Sequence, residues 1–178
     1  MNEFKSDLEA IRKRARAKMA EGPITDAYKA DFKKVCAVLN DALATETVCV
    51  LRYKSHYYNA KGIHSEAVKE EFLQHATEEQ EHADRIAERI SQLGGKPDLN
   101  PGTMLQRSHS EYKEGTTLED MIKEDLVAER IAIESYNEII RWLGTDDITT
   151  RRMLEQILAV EEEHANDMSD LLDKLASK

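Results

Sequence analysis

The sequence predicts an all-α protein, a bundle of four long helices with one long crossover, preceded by a short N-terminal helix. Apolar side chains recur at steps of three and four residues through most of the chain, which gives a helix one apolar face. The 178 residues include only 7 glycines and 3 prolines, and these lie in a few clusters. Charged residues make up 34% and apolar residues 40%, a balance typical of long amphipathic helices.

The few glycines and prolines divide the chain into five predicted helices. Glycine follows the first four of them, and a threonine or an aspartate precedes the last two, as expected of helix ends and starts. Residues 116–119 match a capping box at the start of the fourth predicted helix. The predicted helices span residues 3–20, 27–60, 64–93, 117–143 and 147–176. We therefore predict an N-terminal extension, residues 1–26, followed by a bundle domain, residues 27–178.

The lengths of the connections predict how the long helices are joined. Only a few residues separate the first long helix from the second, and the third from the fourth, so each pair should form an antiparallel hairpin. More than twenty residues separate the second from the third, enough to run the length of the bundle. A short, a long and again a short connection is the arrangement of a four-helix bundle with one crossover.

A repeated pattern of glutamate and histidine is the main candidate for chemistry. A glutamate and a histidine three residues apart occur on the second long helix and again on the fourth, so each pair shares one helix face. Each pair is preceded, at nearly the same distance, by a lone glutamate in the middle of an earlier apolar helix. One such pair alone is usually a solvated surface pattern, so the prediction depends on the matched spacings. The six candidate ligands are Glu46, Glu79, His82, Glu129, Glu161 and His164.

These residue types suit a dinuclear metal site. An unpartnered carboxylate is costly to bury, and a pair of divalent cations would offset that cost. Four carboxylates and two imidazoles are the ligands of the two-metal sites found in helix bundles. Iron or manganese would fit them, and zinc could also bind.

Three further side chains should lie near the candidate ligands. Tyr53 and Tyr136 each follow one of the lone glutamates by seven residues and should share its inward face. Both tyrosines either pack in the core or hydrogen-bond to the site. Asp125 lies one turn before Glu129 and could orient His82 through the second nitrogen of its ring.

The cysteines and the remaining histidines carry weaker signals. Cys36 and Cys49 lie on one predicted helix, about 20 Å apart along its axis, so we expect free thiols and a reducing compartment. Cys49 could face inward, and we interpret it as a small core residue, with a functional thiol as the alternative. We interpret the other four histidines as surface or interface residues, with secondary metal contacts as the alternative: His56, His64, His75 and His109.

Charge and hydropathy restrict the partners of the chain. Its net charge of −10 argues against a general attraction to nucleic acid or to anionic membranes. No stretch approaches 18 uninterrupted apolar residues, and the N-terminus lacks an apolar signal core. We therefore expect a cytoplasmic protein with no membrane partner.

The segments that carry the candidate ligands resemble those of the ferritin-like superfamily, and most closely bacterioferritin. The resemblance covers roughly residues 31–176 and is carried by residues 39–46, 78–82, 125–129 and 157–164. It implies a ferritin-like four-helix bundle with two terminal carboxylates, two bridging carboxylates and two histidine ligands. The implied terminal carboxylates are Glu46 and Glu129, and the implied bridging carboxylates are Glu79 and Glu161. The implied histidine ligands are His82 and His164.

Three departures from bacterioferritin shape the expected assembly. Gln80 occupies the position where bacterioferritins bind haem through a methionine, so we expect no haem by that route. The chain ends soon after His164, so we expect no fifth helix of the kind used in the 24-subunit cage. The N-terminal extension and the longer crossover are similar to Dps-like mini-ferritins of twelve subunits. Members of that group with a bacterioferritin-type site inside each subunit fit best, so we favour a 12-mer over a 24-mer.

The resemblance implies a ferroxidase and an iron store. Two Fe²⁺ would bind in each subunit, O₂ or H₂O₂ would take their electrons, and Fe³⁺ would mineralise inside a hollow homo-oligomer. One alternative is a diiron oxidase or peroxidase with a separate electron donor, although the chain lacks the Cys-x-x-Cys module of rubrerythrin. Another is a DNA-protecting Dps-like cage that uses the basic residues 12–18. We favour an exposed amphipathic helix for that segment, because it contains no aromatic residue and the whole subunit is acidic.

Overall fold

The structure, a computed structural model, describes residues 4–177 and contains six α-helices and no strand over that range. The helices are α1 Leu8–Ala15, α2 Phe32–Asn59, α3 Ser65–Gln92, α4 Pro101–Arg107, α5 Leu118–Leu143 and α6 Ile148–Ala176, with a 3₁₀ turn at Met19–Glu21. The four long helices α2, α3, α5 and α6 confirm the predicted bundle. None of the helices in the described range is long and apolar enough to cross a lipid bilayer.

Two hairpins build the bundle. The most extensive contacts join α2 to α3 and α5 to α6, as the short loops predict, and the hairpins then meet through α2 with α5 and α3 with α6. Two large apolar clusters fill the interior, one around Leu39 and Leu154 and the other around Phe72 and Met168, and a third, small one joins α4 to α2. Each long helix passes from one cluster to the other, and a layer of buried polar side chains lies between them.

Helix starts differ from the sequence prediction where capping side chains decide them. The helix predicted from residue 27 begins at Phe32, because the Asp31 carboxylate accepts the free N–H groups of the first turn. The capping box of α5 is formed by Thr117 and Asp120, one residue later than predicted. Thr116 instead donates to the Asp120 carboxylate at 2.7 Å, which fixes that side chain for capping.

The N-terminal helix is shorter than predicted. α1 covers Leu8–Ala15, and the predicted start at residue 3 lies outside the described residues. No residue of α1 is buried, so this helix gains little from packing. The division into an extension, residues 1–26, and a bundle domain, residues 27–178, stays a prediction.

The long crossover contains a helix that the sequence analysis missed. Pro101 is one of the prolines taken to separate the predicted helices, but it is the first residue of α4, where its missing N–H costs nothing and Asn100 caps the helix. Arg107, at the end of α4, donates 2.8 Å hydrogen bonds to the carbonyls of Asn40 and Asp98. These bonds fasten the crossover to α2.

A buried polar junction holds the turn before α6. The Asp147 carboxylate accepts from the Thr150 hydroxyl at 2.5 Å, from Tyr28 at 2.9 Å and from Arg89 of α3 at 3.1 Å. Burial by itself would raise the pKa of Asp147, but the hydrogen bonds from Thr150 and Tyr28, together with the charge of Arg89, lower it. One ionised side chain therefore caps α6 and ties it to α3 and to the segment before α2.

We predict that Asp147→Ala lowers the free energy of unfolding of the metal-free protein by about 3 kcal/mol, because it leaves the buried Arg89 without its partner. Chemical denaturation at a fixed subunit concentration measures the change. Asp146→Ala is the matched control, since that neighbouring side chain is exposed, and it should stay within roughly 0.5 kcal/mol of the parent.

We also predict how the stability difference between the parent and Asp147→Ala changes with pH. Because folding lowers the pKa of Asp147, its ionised form stabilises the fold above the ordinary aspartate pKa of about 3.9. This stabilisation is lost as the pH falls from about 3.9 through the lower pKa that Asp147 has in the folded protein. The stability difference between parent and Asp147→Ala should therefore narrow below about pH 4. A stability difference that persists unchanged at lower pH would contradict the conclusion that the ionised Asp147 carboxylate stabilises the fold.

Candidate metal centre

The structure brings all six predicted ligands together at the middle of the bundle. Each long helix contributes at the point where it passes between the two apolar clusters. None of the six side chains belongs to a residue that is more than 3% exposed. The three- and four-residue periodicity of each helix therefore turns the predicted polar positions inward, as the sequence indicates.

One half of the centre surrounds His82. Its Nδ1 lies 2.9 Å from Oε1 of Glu161 and 3.6 Å from Oε2 of Glu79. Oε2 of Glu46 lies 3.4 Å from the same nitrogen. These four residues each offer one ligand atom, and the four atoms all lie within 4.8 Å of one another, so they can hold one cation.

The other half surrounds His164. Its Nδ1 lies 3.5 Å from Oε1 of Glu79 and 3.8 Å from Oε2 of Glu161. Oε2 of Glu129 lies 3.9 Å from it. These four residues form a second group with the same compact spacing.

The two halves share Glu79 and Glu161. Each shared carboxylate turns one oxygen toward His82 and the other toward His164. A carboxylate in this orientation can bridge two cations, whereas Glu46 and Glu129 each face one half only. The geometry thus separates the four glutamates into two bridging and two terminal candidates.

Both predicted tyrosines hydrogen-bond to the centre, which resolves the alternative left open for them. Tyr136 donates to Oε1 of Glu46, and Tyr53 donates to Oε1 of Glu129 at 2.5 Å. Each terminal glutamate therefore has one oxygen bound to a tyrosine and leaves the other oxygen to face the centre.

The prediction that Asp125 orients His82 is wrong. Asp125 accepts from Arg52 at 2.9 Å and pairs with His56 at 2.8 Å. Asp125 lies one turn before Glu129, where α5 faces α2 rather than α3. Its partners therefore come from α2. The second ring nitrogen of a ligand histidine instead meets Glu78, whose Oε2 lies 2.8 Å from Nε2 of His164.

Sequence reasoning missed Glu78 and two of the other histidines. A histidine ligand usually has an acceptor for its second nitrogen, but three glutamates cluster in this part of α3 and only packing shows which one faces α6. His56 and His75 are buried, not at the surface as predicted, because they pair with Asp125 and stack on His164 respectively. The predicted surface positions are confirmed for the two exposed histidines, His64 and His109.

Both cysteines are free, as predicted, and both are buried, although an inward position was predicted only for Cys49. Sγ of Cys49 lies 3.3 Å from the Arg52 guanidinium and 3.8 Å from the Ser110 hydroxyl. Burial raises the pKa of the Cys49 thiol well above its ordinary value. The environment therefore suits the small core residue rather than a reactive thiolate.

Protons balance the charge of the centre when no cation is bound. Burial and the charge of Glu79 raise the pKa of Glu46 to about 8. Burial by itself would lower the pKa values of the two histidines, but the neighbouring carboxylates raise them to about 10 for His82 and about 9 for His164. Cation binding must displace these protons from the ligand atoms.

Most of the ligand atoms that face the centre have no hydrogen-bond partner. Over the described range, eight of the ten buried side-chain nitrogen and oxygen atoms without a hydrogen bond belong to the six predicted ligands. They are Glu46 Oε2, both oxygens of Glu79 and of Glu161, Glu129 Oε2, and the Nδ1 atoms of His82 and His164. A cluster of unpartnered carboxylate and imidazole atoms is a candidate metal site, because such atoms can bind a cation directly.

Comparison with known proteins identifies the family to which this bundle is similar. A family model described as a ferritin-like domain matches residues 36–177. A solved structure described as a dodecameric thioferritin, the bacterioferritin-related protein from Bacteroides fragilis, is 34% identical with a TM-score of 0.80, and the match covers 84% of this chain and 90% of that one.

Two curated relatives come from different branches. The bacterioferritin of Brucella melitensis is 33% identical over 148 residues, which cover 80% of this chain and 85% of that protein. The DNA protection during starvation protein of Pyrococcus furiosus is 30% identical over 145 residues, which cover 80% of this chain and 78% of that protein. The match of the family model over most of the chain, on a four-helix bundle with a buried glutamate and histidine centre, shows that this protein belongs to the ferritin-like family.

Proposed function

We propose that the protein oxidises Fe²⁺ at a dinuclear centre inside each subunit and stores the resulting Fe³⁺ in a hollow homo-oligomer. The observation that supports this most strongly is the set of eight unpartnered ligand atoms, which are aimed at two adjacent points in the core. The names of the relatives support iron storage, since several of them are bacterioferritins.

The distances and charges of the centre fit two divalent ions. Ligand atoms at about 2.1 Å from one ion lie roughly 3.0–3.5 Å from each other, near the 2.9–3.9 Å found around the two histidines. Four ionised carboxylates carry the charge that two divalent cations neutralise. Carboxylate and imidazole ligands suit iron, and manganese or zinc can bind the same set.

Each ligand has a role that follows from its hydrogen bonds. Glu79 and Glu161 would hold the two ions close together, because each presents one oxygen to each half. The Nε2–H of His164 donates to Glu78, which leaves the lone pair of Nδ1 directed at the centre. Two Fe²⁺ ions held in this way supply two electrons to one molecule of O₂ or H₂O₂.

Removal of one bridging ligand tests the proposal. We predict that Glu79→Ala lowers the initial rate of Fe²⁺ oxidation by roughly 100-fold or more, because both ions lose a ligand. Stopped-flow absorbance after addition of two Fe²⁺ per subunit measures the rate. Glu81→Ala, an exposed position on the same helix, is the control and should retain the parental rate. Parental kinetics in Glu79→Ala would overturn the assignment of the centre.

The native mass separates iron storage from the alternative of an oxidase acting on a separate donor. Twelve copies of the 20.3 kDa chain have a mass of about 240 kDa, and twenty-four have about 490 kDa. We predict the smaller value from light scattering of the purified protein, because a structural relative that is 34% identical is described as dodecameric. A monomer or dimer would enclose no cavity and would favour the oxidase.

DNA protection is a second candidate, because some relatives are named for it and α1 is exposed with Arg12, Lys13 and Arg14 in its last turn. Asp7 and Glu9 at the start of the helix and the net charge of −10 oppose DNA binding. We predict no retardation of plasmid DNA in gels at about 0.15 M salt. Retardation that disappears when all three basic residues are changed to glutamine would support the DNA-binding candidate instead.

A further inference from the structure

A second group of potential ligands lies beside the dinuclear centre. Glu71 and His75 are one turn apart on α3, and Asp167 faces them from α6. Nε2 of His75 lies 3.5 Å from Oε1 of Glu71 and 3.6 Å from Oδ2 of Asp167. One ligand atom from each of the three lies within 4.8 Å of the others. None of them belongs to the six residues of the dinuclear centre.

The hydrogen bonds of His75 determine which nitrogen carries its proton. Its Nδ1 lies 3.1 Å from the oxygen of Tyr53, and Tyr53 donates its only proton to Glu129. The tyrosine oxygen can therefore only accept from His75, so Nδ1 carries the hydrogen. In the neutral ring, Nε2 then presents a lone pair, the form in which imidazole binds a metal ion.

That lone pair is buried and faces two carboxylates. His75 is fully buried, and its Nε2 has no hydrogen-bond partner. The nitrogen and the two carboxylate oxygens are all electron-pair donors, so they repel one another unless a cation lies between them. Their separations of 3.5 and 3.6 Å match the roughly 3.4 Å expected between ligands arranged tetrahedrally about one ion.

The surrounding charges also favour a cation. Burial and the charges of Asp167 and Glu78 raise the pKa of Glu71, while the charges of Lys174 and His164 lower it. The side chains of Glu71 and Asp167 are 32% and 36% exposed, so water can complete the coordination of an ion there. The position is open to solvent on one side and closed by a fully buried imidazole on the other.

We propose that Glu71, His75 and Asp167 bind a third divalent transition-metal ion, separate from the two of the dinuclear centre. The His75 ring stacks on the ring of His164 at 3.9 Å between centroids, so the third ion lies next to the centre. In a protein that takes up Fe²⁺, this site holds an ion at the solvent side of the centre. The proposal concerns binding alone and does not require oxidation at the centre.

Counting bound metal in the full-length protein tests the site. Metal-free protein is dialysed against Zn²⁺ or Co²⁺, and the bound metal per subunit is measured by elemental analysis. We expect three ions in the parent and two in the double variant Glu71→Gln with Asp167→Asn, with the affinity of the third reduced tenfold or more. The control is Glu70→Gln with Asp170→Asn, which makes the same charge change at exposed positions of the same two helices and should bind three.

Further measurements separate the possible failures. Glu79→Ala should keep the third ion while losing ions from the dinuclear centre. If Glu79→Ala binds as many ions as the parent while the double variant loses one, the dinuclear assignment fails and the third site stands. Unchanged metal binding in the double variant would overturn the third site. The absence of an anomalous peak at Nε2 of His75 in Zn²⁺-soaked crystals would also overturn the third site. It would indicate that His75 is protonated and paired with the carboxylates of Glu71 and Asp167.

Discussion

Four glutamate carboxylates buried on the axis of the bundle are the constraint on which the rest of the polar structure depends. A buried carboxylate without compensation costs several kcal/mol, so the fold must offer protons, hydrogen bonds or cations to all four. Tyr53 and Tyr136 each bond one oxygen, and the two ligand histidines approach the others. The fully buried Arg52, paired with Asp125, adds positive charge nearby. The remaining unpartnered atoms are those that two cations would bind.

The two tyrosines also couple the halves of the bundle. Tyr53 and Glu46 lie on α2, and Tyr136 and Glu129 lie on α5, yet each tyrosine bonds the glutamate of the other helix. A shift of one hairpin along the other would break both hydrogen bonds together and leave two buried oxygens without donors. The exchange therefore fixes the register of the hairpins, and with it the spacing between the two halves of the centre.

The sequence could predict the fold and the six side chains that meet, because both depend on local periodicity. Glu79 and His82 share a helix face whatever surrounds that helix, and the same holds for the second pair. The errors concern side chains whose role depends on the neighbouring helix. Asp125 meets α2 instead of α3, and His75 looks unremarkable until α6 brings Asp167 opposite it. The short α4 was missed because Pro101 can equally end one helix or begin another.

The near-symmetry of the ligands hides a difference between the two halves. On the side of His164, polar groups continue outward from the centre through Glu78 and His75 to Glu71 and Asp167, which are partly exposed. A cation arriving there can exchange its water molecules for protein ligands in steps, because carboxylates at the surface precede the buried imidazole. The two tyrosines do not create this difference, because Tyr136 packs within the apolar cluster around Leu39 and Leu154, and Tyr53 packs within the cluster around Phe72 and Met168. Similar ligand sets on the two halves therefore do not imply similar surroundings, because among the described residues the further group of potential ligands lies beside His164.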